Sequence, residues 1–174
     1  MMPAPDYAFY YLNGSTKEAR ARSSVSVMKL GLSGSPSVLH TFDSNEIPTF
    51  VYPDVPRADL SFYVQGGTLD SKIVEFDNPL RSPTRVIKLH NAGMRKCLQL
   101  PDRSMAIFGS QYLNGATAAV TRLYTTGIYK TFLVEPTYQS GWYYDAVFLG
   151  GDRQFAATRL VDDGRAVLDW VSFK

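Results

Sequence analysis

One cysteine stands in this 174-residue chain, Cys97, so no disulfide can form within it. The fold must be held by packing, and synthesis in a reducing cytoplasm is expected. Histidine is almost as scarce, with only His40 and His90. A metal centre needs about three or four ligands in fixed geometry, and no His or Cys pair at short spacing exists to begin one. Neither a metal nor any other cofactor is therefore expected. Charge is nearly balanced, 18 Lys and Arg against 16 Asp and Glu. The basic clusters, Lys17 with Arg20 and Arg22, and Arg95-Lys96, are too small for the contiguous patch that nucleic acid requires, so that partner is disfavoured. No apolar run approaches the roughly 18 residues of a spanning helix, so no membrane helix is expected. The opening MMPAPDYAFYYLNG has no basic region and no long apolar run, so no signal peptide is expected either.

Long amphipathic helices are missing as well. The best helical stretch, Ser15–Arg22, carries a capping pattern but almost no apolar face, and reads as a surface excursion between strands. Asn13-Gly14 reads as an Asn-Gly turn. What the chain has instead is aromatic residues, 13% of the total with 11 Tyr and 10 Phe, which suit half-buried strands.

The segment Lys96–Val134 shows the pattern most clearly. Four short apolar runs, Cys97–Leu100, Met105–Phe108, Ala118–Leu123 and Tyr129–Val134, are joined by turn signals rich in Pro, Asp and Gly. Links this short make neighbouring strands antiparallel, so the segment predicts a four-stranded meander of about 40 residues.

The same phrases recur along the chain. An Asp (Asp6, Asp59, Asp102, Asp145) precedes an apolar run that ends near Gly; next comes a run ending in a charged and then an apolar residue. Those pairs are Lys29-Leu30, Glu75-Phe76, Arg122-Leu123 and Arg159-Leu160, each followed by a turn and a closing apolar run. The Asp is expected to accept backbone N–H bonds in a turn. The apolar member of each pair is expected to be buried, and its charged neighbour to point to the opposite face. The predicted fold is all-β, a single domain over 1–174 made of antiparallel four-stranded repeats at about 1–43, 44–91, 92–136 and 137–174. The arrangement expected is β-propeller-like with about four blades, the alternative being an irregular β-sandwich or barrel.

Two stretches, LPDRSMAIFGS with ATAAVTRLYTTG and AVFLGGDRQFAATRLVDDG, resemble the bacterial delta-sixty repeat family. Leu100, Asp102 and Gly109 match its opening phrase; Phe155, Ala156, Ala157, Arg159, Leu160, Asp163 and Gly164 match its second. Arg103 departs from it, standing where the family usually has Gly, and Glu75 replaces the Arg of the second phrase. The resemblance implies a β-propeller-like fold and no enzymatic activity.

No catalytic set converges. The serines of Gly31–Ser37 lack the G-x-S-x-G spacing of a nucleophile elbow. Cys97 reads as a core thiol, and Asp162-Asp163 read as turn residues. The candidate binding residues are aromatic: Trp142, Tyr143 and Tyr144 in GWYYD, and Trp170 in the closing run VLDWVSF. Such rings anchor protein interfaces or stack on sugars, although WYY also reads as the first strand of the last repeat. The expected role is a structural or interaction module whose partners are other protein chains, by self-association or assembly. A virion component, from a phage tail or baseplate, is the leading form. A glycan-binding, lectin-like module is the alternative, and a hydrolase comes third.

Overall fold

The computed structural model describes residues 2–3, 9–17, 21–32, 34–43, 46–53, 60–65, 70–76, 83–112, 115–133, 141–150, 154–161 and 164–173. Among these the chain is all-β and contains no helix. The strands run β1 (Met2–Pro3), β2 (Phe9–Lys17), β3 (Ala21–Leu30), β4 (Pro36–Thr41), β5 (Ile47–Phe50), β6 (Tyr52–Pro53), β7 (Leu60–Gln65), β8 (Ser71–Phe76) and β9 (Arg85–Leu89). They continue with β10 (Ala92–Gln99), β11 (Met105–Tyr112), β12 (Ala116–Leu123), β13 (Tyr129–Leu133), β14 (Gly141–Gly150), β15 (Gln154–Val161) and β16 (Ala166–Ser172).

Four sheets result, ordered β1-β2-β3-β4, β5-β7-β8-β9, β13-β12-β11-β10-β6 and β14-β15-β16. Each is built of antiparallel strands in chain order, as short turn-rich links require, save that β5 pairs with β7 across the intervening β6. The one added strand is β6, which pairs parallel with β10 through Leu98↔Tyr52 and Gln99↔Pro53. The strands gather into two compact units, Met1–Phe50 with Val55–Lys88, and Val51–Asp54 with Leu89–Lys174.

Register links the four meanders. Leu30 pairs with Phe9, Phe76 with Leu60, Leu123 with Met105 and Leu160 with Trp142, in every case near the start of the preceding strand. Burial is less uniform than the repeated phrase predicts. Phe76 and Leu123 are buried, but Leu30 and Leu160 are only half-buried. The charged neighbours Arg122 and Arg159, expected on the face opposite the buried leucine, are themselves buried at 6% and 5% exposure. On β12 both faces are covered, so Arg122 and Leu123 are buried together; on β15 the expected order is reversed, with Arg159 on the core face beside Phe155 and Ala157 and Leu160 on the other.

The turns share one construction. In Leu100–Ser104, Arg103 N donates to Leu100 O and Leu100 N to Ser104 O. Tyr124–Ile128 and Val161–Arg165 repeat both bonds, with Gly127 and Gly164 in the place of Arg103. That place needs left-handed backbone: φ is +88° at Gly127, +82° at Gly164 and +68° at Arg103. Each loop is thus closed by a left-handed residue, a place that favours glycine. Pro101 presets the first turn position, and Asp102 Oδ1 accepts from Ser104 N at 2.9 Å, the role expected of the repeated Asp. Asp6, Asp59, Asp162 and Asp163 lie outside the described residues.

Two local readings are corrected. Asn13-Gly14 is not a turn: both residues lie inside β2, opposite Ser26 and Val25, and a register shift follows between Gly14 and Thr16. The extra residue of that shift lies on β3, where Ser23 and Ser24 stand opposite Ser15. Ser15–Lys17 and Ala21–Arg22, expected in an excursion, extend β2 and β3, with Thr16↔Arg22 and Lys17↔Ala21 paired.

The core of the second unit lies between two sheets. Leu100, Ala106, Phe108, Ala118 and Val120 from the β10–β13 sheet meet Tyr143, Ala146, Phe155, Ala157 and Phe173 from the β14–β16 segment. Phe108 packs edge-on against Tyr143 at 5.5 Å and against Phe155 at 5.2 Å between centroids. β11 and β12 are buried on both faces for most of their length, whereas β15 alternates between covered and open positions. In the first unit, Val27, Phe42, Val64, Ile73, Val74 and Phe76 are buried.

Candidate interaction surface

The β14–β16 sheet turns one face to the core and leaves the other open. Phe155, Ala157 and Arg159 alternate inward along β15, so Gln154, Ala156, Thr158 and Leu160 line the other face. Strand register then places the outer side chains in rows: Val147–Ala156–Trp170, Asp145–Thr158–Leu168 and Trp142–Leu160–Ala166. Trp170 is 73% exposed, Leu168 58% and Val147 54%. Val147, Ala156, Trp170 and Leu168 make an apolar patch bordered by Asp145 and Thr158, and such patches mark contact sites more often than isolated exposed residues do. At one end, Trp170 also walls a shallow cleft of ≈ 210 Å³ with Gln154, Phe155, Val171 and Ser172.

The four aromatic residues singled out from the sequence do not form one cluster. Trp170 lies on the open face at its β16 edge. Trp142 shares that face two rows away and is half-buried. Tyr144 is 66% exposed and is the extra residue of a bulge, since the register jumps between Tyr143 and Asp145. The run GWYYD is therefore not a separate first strand: it is continuous with AVFLG in β14.

Tyr143 faces the core at 2% exposure. Its burial, and next the nearby Asp169 carboxylate, raise the phenol pKa well above the usual tyrosine range. Asp169 is held in turn by Arg159, whose Nε donates to Oδ2 at 2.7 Å and Nη2 to Oδ1 at 3.3 Å. This forked pair fixes β16 against β15 from the inside. The first unit carries the same diagonal clamp with its charges exchanged: Arg85 Nε donates to Glu75 Oε2 at 2.7 Å. The β12–β13 pair lacks it because Phe132 stands where the acid would be. Arg122 reaches back to Asp102 Oδ2 at 3.0 Å instead, with its guanidinium 4.8 Å from the Tyr124 ring centroid and 5.5 Å from that of Phe173.

Sequence reasoning missed Leu168 and Val147, the main aliphatic parts of the patch. Alternation in VLDWVSF and AVFLG carried the signal, but which face was open depended on the partner sheet. Among the described residues no group of three or more His, Cys, Asp or Glu could hold a metal ion. No described helix is long and apolar enough to cross a membrane, which says nothing of a β-barrel. Burial holds the Cys97 thiol far above its usual pKa, away from nucleophile chemistry. A scan of protein-family models and a search of curated proteins return no match for the chain.

Proposed function

We propose that this chain is a non-enzymatic structural module that works by docking to other protein chains in a larger assembly. The single observation that carries the reading is the open apolar face of the β14–β16 sheet, with Trp170 as its most exposed large side chain. Covering apolar surface yields about 25 cal/mol per Å², and an aromatic ring offers the largest single contribution. A virion component made in the cytoplasm, at a tail or baseplate, is the form of assembly proposed, by resemblance to propeller-like repeats in phage tail proteins. The delta-sixty likeness and a ring of about four blades belong to the same proposal; what supports them is the register shared by the four meanders. Immunogold labelling of particles from the producing cells tests the virion reading. Label on tails or baseplates is expected, and its absence from purified particles overturns it.

A glycan-binding role is the second reading, favoured by the exposed rings of Tyr144 and Trp170 and by the cleft beside Trp170. The register sets these rings two strands apart, so a sugar would stack on one of them rather than between them. A glycan array that stays blank removes this reading. A signal lost in Trp170→Ala would displace the assembly reading as the main one.

A further inference from the structure

Edge strands invite pairing, and proteins guard them with Pro, Lys, bulges or brevity. Among the described residues, seven of the eight sheet edges carry such a guard. β1, β5 and β6 are two, four and two residues long and contain Pro3, Pro48 and Pro53. β4 starts at Pro36 and has a register shift after Val38. β9 exposes Lys88 and β13 exposes Lys130. β14 is interrupted by two register shifts and exposes Asp145.

β16 is the exception. It is seven residues long, pairs with β15 without a shift, and contains neither Pro nor Lys. Its one ionisable side chain, Asp169, is turned inward and held by Arg159. Its outward residues are Ala166, Leu168, Trp170 and Ser172, all exposed.

We infer that β16 pairs antiparallel with β16 of a second copy of this chain, joining two sheets into one about a two-fold axis at Leu168. The inference rests on the interaction reading above and names its partner. β16 supplies everything its own edge asks of an occupant: regular length, alternating apolar side chains and no charge at the seam. Two copies therefore meet without the like-charge repulsion that Lys88 or Lys130 would cause at the other edges. Residues directly opposite in an antiparallel pair lie on the same face, so the axis must pass through a residue. At Asp169 it would oppose two carboxylates, which is unfavourable. At Trp170 it would oppose two indoles and leave Leu168 against Ser172 of the partner subunit. At Leu168 it sets Leu168 against its own copy and each bulky Trp170 against the small Ala166 across the seam, extending one apolar row over both sheets. The self-complementary patch is what a two-fold interface requires.

Single-cysteine cross-linking with light scattering tests this in the full chain. Cys97 is buried, so it does not compete. Leu168→Cys puts two thiols directly opposite, about 4.5–5.5 Å apart between Cα atoms, inside the range of a disulfide. Expected are a particle of twice the 19.4 kDa chain mass, a disulfide-linked dimer of Leu168→Cys under mild oxidation, and none from Trp170→Cys. Leu168→Lys, which installs the guard found on β9 and β13, is expected to weaken dimerisation about tenfold or more with an unchanged far-UV spectrum. A Trp170→Cys dimer, or association with no Leu168→Cys cross-link, overturns the inference while leaving an interaction role standing. A chain monomeric at every concentration also overturns it, and the interaction reading falls with it only if particles lack the protein as well.

Discussion

β12 and β15 carry nearly the same phrase, AVTRL in one and AATRL in the other, yet they live in different surroundings. β12 is buried on both faces through Leu123. β15 is buried on one, and its Leu160 is only half-covered. Both strands bury their arginine, Arg122 and Arg159, but each finds its acid by a different route. Arg159 meets Asp169 on the next strand; Arg122, facing Phe132 there, turns back to Asp102 in the preceding turn. A repeated phrase thus specifies strand and register, while the partner sheet and one residue on the neighbouring strand specify what the phrase buries.

The comparison breaks most sharply at the clamps. Asp169→Ala leaves Arg159 buried without its acid and beside a buried phenol, and should cost about 3–5 kcal/mol in denaturant unfolding. Replacing both partners, Arg159→Met with Asp169→Leu, should recover most of that loss, since an apolar pair of similar volume fills the site. If the double variant is as unstable as the single one, packing rather than charge explains the loss. Asp102→Ala should cost less, about 1–3 kcal/mol, because the Asp102 side chain is 40% exposed and two rings still face the Arg122 guanidinium.

The turns give a prediction of opposite sign. Arg103 occupies a left-handed position that glycine fills in the two matching loops, and such a residue pays about 1–2 kcal/mol. Arg103→Gly should therefore stabilise the protein by about 1 kcal/mol, read as a rise in melting temperature. Gly127→Arg should lower it.

The smallest effect concerns the first unit. His40 packs edge-on against Phe42 at 4.8 Å and Phe76 at 5.1 Å. Burial lowers its pKa below 6.5, with Lys72 acting in the same direction and Glu46 and Asp43 opposing. The unfolded chain then binds a proton more readily than the folded one, so the stability this group contributes is present above about pH 6.5 and is lost as pH falls toward its folded value. Unfolding curves at pH 7.5 and 5.5 should differ more for the native chain than for His40→Gln. Equal differences would assign the pH response to other groups.

Much of the strand pattern was legible because period-two alternation and Pro, Asp and Gly punctuation act locally. Met105 and Ala118 lie in the strands read for them, and Gly127 and Gly164 close their turns. Bulges were not legible. One inserted residue at Tyr144 merges two apparent strands into β14, and another shift after Gly14 turns an apparent reversal into continuous strand, with no change in composition to announce either. The burial of Arg159 was hidden for a different reason: it depends on Asp169, ten residues on and across a turn. The open face around Trp170 was half visible. The aromatic residue stood out, while Leu168 and Val147 looked like any core residues until the sheet covering the other face was known.

The small strand β6 has a consequence for how this molecule is made. Val51–Asp54 belongs to the second unit although the chain on either side of it, up to Phe50 and from Val55, builds the first. Its partner Leu98 in β10 leaves the ribosome only after β7, β8 and β9 have been made. During synthesis these few residues must wait unpaired while the strands around them close. Val51, beside that strand, is 1% exposed in the finished protein. A fragment beginning at Leu89 would never receive that strand, so the boundary at Leu89 is a poor place to cut the gene.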